Sequence, residues 1–248
     1  MRESVVMGSL GDDSARIVRA AARNNAELCD LVSRAHGIPG TFAADAWTSS
    51  RRTPEYYPDA VTLDPSPDVD ALLERIDASA GASIKDSFAA MDLAAASFRV
   101  LFSAEWIARA PAVTPRASVV ADSGVRWSAV ADAEALVAWE FAWSSDGVAR
   151  GLFPPGLLDA SELVVLRGDR DGTLVAGAVV NVSQRVVGVS NVFASTGDPV
   201  GTWAGCLAEV SDRFPELPIV GYESGAALDV ARRVGFRPVG PLRVWMHE

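Results

Sequence analysis

Two spacings of apolar residues alternate along the chain, one of about 3.6 residues and one of about 2. Residues 1–20 are polar and small and read as a flexible lead-in. From Ser14 to Ala35 the spacing is helical, with Leu28, Leu31 and Val32 on one face, and Gly37 follows as a C-cap glycine. GIPGTFAADAWTSSRRTPEYYPD, with three prolines, reads as loop. AVTL (Ala60–Leu63) reads as a buried strand. Asp68 then caps a helix whose apolar positions are Val69, Leu72, Leu73 and Ile76. ASIKDSF is a second strand, AAMDLAAAS a short helix and FRVLFSAEWIA a third strand. RAPAVTPRA (Arg109–Ala117) has two prolines and no apolar period, and reads as a linker.

Beyond it, VRWSAV is a strand and Asp132 caps a helix through AEALVAWEFAW. PPGLLDA is a turn or short helix. ELVVLRG, TLVAGAVVNVS and RVVGVSNVFAS follow as an antiparallel meander, turning at DRDG and around Gln184. The next helix, Pro199–Phe214, carries Val200, Trp203, Leu207, Val210 and Phe214 on one stripe. LPIVGY is a strand, GAALDVARRV a helix stopped by Gly235, and FRPVGPLRVWMHE closes the chain as β structure. The fold class expected is α/β (α+β), a mixed sheet flanked by helices.

Composition narrows the function. The 248 residues are 49% hydrophobic, enough for one large core or two small ones. No run reaches the roughly 18 apolar residues of a membrane helix, and the first residues lack an apolar signal region, so no membrane partner and a cytoplasmic location are expected. Cys29 and Cys206 stand far apart, which argues against a disulfide framework or zinc. With two histidines, His36 and His247, no metal is expected. The net charge is −10, Lys85 is the only lysine, and the arginines are scattered. That distribution argues against nucleic acid as partner.

The two parts end alike. DSFAAMDL (Asp86–Leu93) matches ESGAALDV (Glu223–Val230) without a gap, and SFR and GFR follow at a similar distance. A duplicated unit with a shortened first copy accounts for this, as does chance in an alanine-rich chain. Two full α/β units are too few for a solenoid.

The order of elements in the second part, with SGAALDVARRVGF (Ser224–Phe236), resembles the GNAT superfamily of N-acetyltransferases. Ala227 and the Gly235–Phe236 pair match the family pattern; Ser224 and Ala231 stand where asparagine and tyrosine are usual. The resemblance implies a GNAT-like domain at 118–248, a linker at 110–117 and a shortened GNAT-like domain at 21–109, a tandem similar to that of mycothiol synthase. It implies acetyl-CoA as cofactor, seated where two parallel strands splay. Asn191, Val192, Phe193 and Ala194 would pair with its pantetheine. Gly197, Val200, Gly201 and Thr202 would offer amides to its pyrophosphate. The family's phosphate signature falls on Thr196–Gly201, and only its last glycine is present. Asp198 followed by Pro199 is also an N-cap and first-turn pair, which satisfies such amides with the protein's own carboxylate.

Acyl transfer needs a base for the amine and a donor for the departing thiolate. Glu223 is the candidate base, with Ser224 and Tyr222 as donors. A solvated strand-end carboxylate explains Glu223 as well. Tyr56, Tyr57, Lys85 and Asp86 are candidates for substrate binding; the alternatives are a packed loop for the tyrosines and an ion pair at a sheet end for Lys85 and Asp86. Trp139, Trp143, Trp203 and Trp245 read as packing, and Cys206 as a small buried residue. Two function classes follow: transfer of an acyl group from CoA to a small-molecule or peptide amine, by a chain that forms a homodimer, or a non-catalytic module that kept the scaffold.

Overall fold

Capping residues and apolar alternation place most elements where the spacing predicts them. In the computed structural model of the chain, the residues described are 3–111, 124–144, 146–148, 150–183, 185–195 and 197–248. The elements run α1 (Glu3–Ala35), β1 (Thr41–Phe42), β2 (Ala46–Thr48), β3 (Ala60–Thr62), α2 (Val69–Leu73), β4 (Ser83–Asp86), β5 (Phe98–Arg109) and β6 (Arg126–Ala129). Then come α3 (Ala133–Trp143), β7 (Leu163–Arg170), β8 (Thr173–Val182), β9 (Val187–Ala194), α4 (Pro199–Arg213), β10 (Ile219–Glu223), α5 (Gly225–Arg233) and β11 (Arg237–His247). Asp68 and Asp132 cap α2 and α3 as expected, accepting from the amides of Ala71 and Ala135. Ala112–Ala117 of the expected linker, the turn residue Gln184, and Thr196 lie outside the described residues.

The chain divides into two compact units. One contains Met1–Ala108, Tyr222–Ser224 and Pro238–Glu248; the other contains Arg109–Gly221 and Gly225–Arg237. In the first unit the strand order is β1-β2-β3-β4-β11-β5. β3 and β4 are parallel, and β4 pairs antiparallel with β11 from Asp86↔Arg243 to Ser83↔Met246. Strand alternation divides its side chains between two faces. Ala26 and Cys29 of α1 pack on Trp47 and Val61 from one side. Ala60, Leu72, Ile84, Met91 and Trp245 fill the other.

Three elements of this unit depart from the expected pattern. α1 begins at Glu3, well before Ser14, and no proline interrupts the added turns. The proline-rich segment contains β1 and β2, because Ala46 and Trp47 alternate onto the two faces. The helix expected over 89–97 is reduced to one 3-10 turn, Ala94–Ala96. Here the buried Asp86 carboxylate takes the amides of Phe88 and Met91, and Ala89 sits at φ 50°. A short acidic side chain bonding nearby amides competes with helix. The matched segments Asp86–Leu93 and Glu223–Val230 thus differ in conformation, since the second runs into α5.

The second unit is the predicted meander. β6, β7, β8 and β9 pair antiparallel in sequence order, and β10 adds to β9 in parallel. α4 buries Trp203, Cys206, Leu207 and Val210. α5 ends in paired reverse bonds: the Phe236 amide donates to the Ala231 carbonyl at 3.1 Å, and the Gly235 amide to that of Arg232 at 3.1 Å. This is a Schellman cap, with Gly235 left-handed at φ 96°. It delivers the Phe236 ring edge-on to Trp203, 5.6 Å between centroids. The Gly-Phe pair therefore ends α5 and locks it to α4.

Gly235→Ala places a Cβ in this left-handed position. It should lower stability by about 1–2 kcal/mol and the melting temperature by a few degrees. An unchanged thermal melt contradicts the cap.

Candidate functional site

A parallel strand pair satisfies the backbone groups on its two facing edges for as long as it continues. β9 and β10 pair only at Val187↔Ile219 and Gly188↔Val220. β9 runs on to Ala194 bonded to β8, and beyond Gly188 its other edge has no strand partner among the described residues. A bulge marks the parting. Val179 faces Ser190 and Gly177 faces Phe193, so Asn191 and Val192 together oppose Ala178. Asn191 is left-handed, φ 52°, which asparagine tolerates better than most residues. The Ser190 hydroxyl is buried without a hydrogen-bond partner among the described residues.

Packing holds the bulge in place. A Cβ on Gly177 would lie 2.2 Å from Trp139 Nε1 and 2.4 Å from the Phe193 ring. Trp139 meets Phe193 and Phe153 edge-on and donates from Nε1 to the Leu166 carbonyl at 2.8 Å. The buried Glu140 carboxylate beside it accepts the amides of Arg150 and Leu152. Gly177 and Glu140 have no role in the expected pattern; a glycine inside a strand pattern is the signal that marks such a close approach.

Past β9, the chain enters α4 through the expected cap. Asp198 Oδ1 accepts from the Gly201 amide at 2.9 Å, and the Asp198 carbonyl accepts from the Thr202 amide at 3.0 Å. Pro199 has no amide hydrogen to give. Of the four candidate phosphate residues, Gly201 and Thr202 thus have their amides taken by Asp198, while Gly197 is exposed with open space around its Cα. A Cβ on Gly201 would lie 2.2 Å from the Asp198 carboxylate, so the cap fills the space above the helix end. No cation pairs with this carboxylate among the described residues. Each phosphate charge brought to about 4 Å of it costs between about 1 kcal/mol in water and about 4 kcal/mol at a protein surface. Measured against acetyl-CoA, the free edge at Asn191–Ala194 and the Ser190 hydroxyl suit a pantetheine arm. The start of α4 does not suit a diphosphate.

β10 continues from this pairing to Tyr222 and Glu223, followed by the exposed Ser224. In the first unit, Tyr222 meets the Trp106 ring edge-on at 5.6 Å, and the Lys85 ammonium lies 4.2 Å from its ring centroid. Lys85 is 4% exposed and donates to Asn25 Oδ1 at 2.7 Å. A cation buried against an aromatic face gains about 2 kcal/mol. The ion pair between Lys85 and Asp86 considered from sequence does not form. The two point to opposite faces of β4, and Asp86 bonds backbone amides instead. Glu223 has no hydrogen bond or ion pair among the described residues, and burial pushes its carboxyl up to about 7. Glu223 is thus a half-buried carboxyl that titrates near neutrality.

The remaining candidates are dispersed. Tyr56 is exposed at φ 69°, and Tyr57 packs on the Trp47–Val61 cluster. Their segment is pinned by the buried Asp59, which accepts from Arg52, the Thr53 amide and hydroxyl, and the Ser83 amide. Burial pushes the Cys29 thiol up to about 11 and the Cys206 thiol up to about 12, so neither serves as a nucleophile near neutrality. No cluster of three or more side chains suited to a metal ion occurs among the described residues. No helix there is long and apolar enough to cross a membrane.

No protein-family model and no curated protein matches the chain. Solved structures do. A GCN5-related N-acetyltransferase from Kribbella flavida superposes with a TM-score of 0.58 at 17% identity, over 92% of this chain and 95% of that one. An acetyltransferase of the GNAT family from Novosphingobium aromaticivorans gives 0.54 at 15%, over 92% and 99%. A conserved protein of unknown function from Staphylococcus epidermidis gives 0.50 at 13%, over 72% and 76%.

Glu223 also links stability to pH. Its folded pKa is raised, so the unfolded chain releases this proton first as pH rises. Its contribution is present below the ordinary carboxyl range and is lost between that range and about 7. Subtracting the unfolding free energies of Glu223→Gln from wild type across pH 4 to 8 should give a difference that falls up to about pH 7 and is level above it. A difference independent of pH contradicts the buried carboxyl.

Proposed function

With the GNAT fold as premise, we propose that the chain transfers an acyl group from a pantetheine thioester such as acetyl-CoA to an amine. The observation that carries this is the parting of β9 from β10, which leaves a strand edge free for the amides of a pantetheine arm. In the reaction the amine nitrogen attacks the thioester carbonyl. The C–N bond forms, the C–S bond breaks, and the thiolate leaves with a proton. Glu223 takes the amine proton, a role suited to a carboxylate titrating near 7. The proton that Glu223 has taken passes to the leaving thiolate through the Ser224 hydroxyl, which accepts one proton as it donates another, so both side chains return to their starting state. Tyr222, held between Lys85 and Trp106, fixes the strand end that carries both. A chain of net charge −10 favours cationic or neutral amines, small or peptidic. The shortened tandem copy and the homodimer belong to this proposal as well.

A second reading is favoured by one observation: Asp198 and Pro199 fill the place where a diphosphate would rest. On that reading the scaffold binds a ligand without turning it over.

Thiol release from acetyl-pantetheine and from acetyl-CoA, measured over a panel of amines, decides between them. Turnover should rise with pH to a plateau above about 7, and Glu223→Gln should lower kcat by about 10²- to 10⁴-fold and remove that rise. Release no faster than the spontaneous rate with every amine and both donors favours the non-catalytic module.

A further inference from the structure

The start of α4 bears on which thioester the chain accepts, and the inference rests on the acyl-transfer reading above. We infer that the donor is recognised through its pantetheine arm alone, and that the chain selects thioesters lacking a diphosphate.

Three observations within the second unit converge on this. The Asp198 carboxylate sits against the Gly201 amide at 2.9 Å, so the helix end already holds an anion. The cap is spatially closed: a Cβ on Gly201 would overlap the same carboxylate at 2.2 Å. The next residue, Pro199, is the first of α4 and lacks the donor that position would otherwise present. A diphosphate would have to displace a bonded carboxylate, find two amides already used, and do so without a basic residue at Asp198, Pro199, Val200 or Gly201. Upstream the arrangement is reversed. The β9 edge from Asn191 to Ala194 lacks a strand partner among the described residues, and the buried Ser190 hydroxyl lacks a hydrogen-bond partner there. Uncharged amides and a hydroxyl, the groups of pantetheine, match those needs. The recognition energy thus ends where the arm ends. Two donors share this chemistry: a free pantetheine thioester, and an arm joined through a single phosphate to something larger.

Calorimetric titration of the full chain with acetyl-pantetheine, acetyl-4′-phosphopantetheine and acetyl-CoA separates these cases. Acetyl-CoA should bind about tenfold or more weakly than acetyl-pantetheine. Its affinity should hold or rise with added salt, since salt screens repulsion as well as attraction. Acetyl-4′-phosphopantetheine binding as well as acetyl-pantetheine identifies the tethered arm as an acceptable donor; weaker binding restricts the donor to the free thioester. Asp198→Ser keeps a cap without the charge and should raise acetyl-CoA affinity about tenfold or more while leaving acetyl-pantetheine unchanged. Wild-type binding of acetyl-CoA about tenfold tighter than acetyl-pantetheine, weakening with salt, overturns the inference and leaves acyl transfer standing. Failure of all three to bind at about 10 mM overturns the acyl-transfer reading itself, and this inference with it.

Discussion

Backbone groups taken from water must be paired, and this constraint shapes the structure around β9. Two residue pairs join it to β10, and then the parallel partner is gone. The strand survives because β8 continues on its other side, and because Trp139 and Phe193 close over Gly177 where the register slips. The bulge aims the last residues of β9 toward the turn that enters α4. A continuous strand pair would leave no free edge, and without the aromatic clamp nothing would hold the left-handed Asn191. The free edge, the bulge and the helix start are therefore one construction.

The end of that construction carries an opposing charge. A helix start attracts anions through its free amides, and here the nearest anion is covalently part of the chain. Asp198 stabilises α4 by about 1 kcal/mol as an N-cap, and the same bond withdraws the Gly201 amide that a phosphate would use. Stability of the helix and anchoring of a diphosphate compete for the Gly201 amide.

Much of this was legible in the sequence. The meander, α4 and α5 follow from alternation and from caps at Asp132, Asp198 and Gly235, all local signals. The Asp198 cap is legible because an N-cap needs only the residues within one turn. What escaped depends on distant partners. Lys85 finds Asn25 from 60 positions away, and Tyr222 from farther still, so nothing near Lys85 distinguishes burial from a sheet-end ion pair. The bulge at Asn191 is set by Gly177 and Trp139 on other elements. The helix expected at 89–97 failed because burial of Asp86, a tertiary effect, turned its carboxylate onto the local amides.

The pairing of β4 with β11 bears on how the protein comes into being. Lys85 and Asp86 lie opposite Val244 and Arg243, roughly 160 residues later, and contacts so remote in sequence form slowly. The first compact unit needs Tyr222–Ser224 and Pro238–Glu248, both made after nearly all of the second. During synthesis the β4 edge waits without its β11 partner until that strand emerges, while the Lys85 ammonium has Asn25 from the start and gains the Tyr222 ring only with β10. The second unit needs none of those last residues and can order itself first. The N-terminal half is thus translated early but finished late, a sequence of events that exposes a strand edge during the interval.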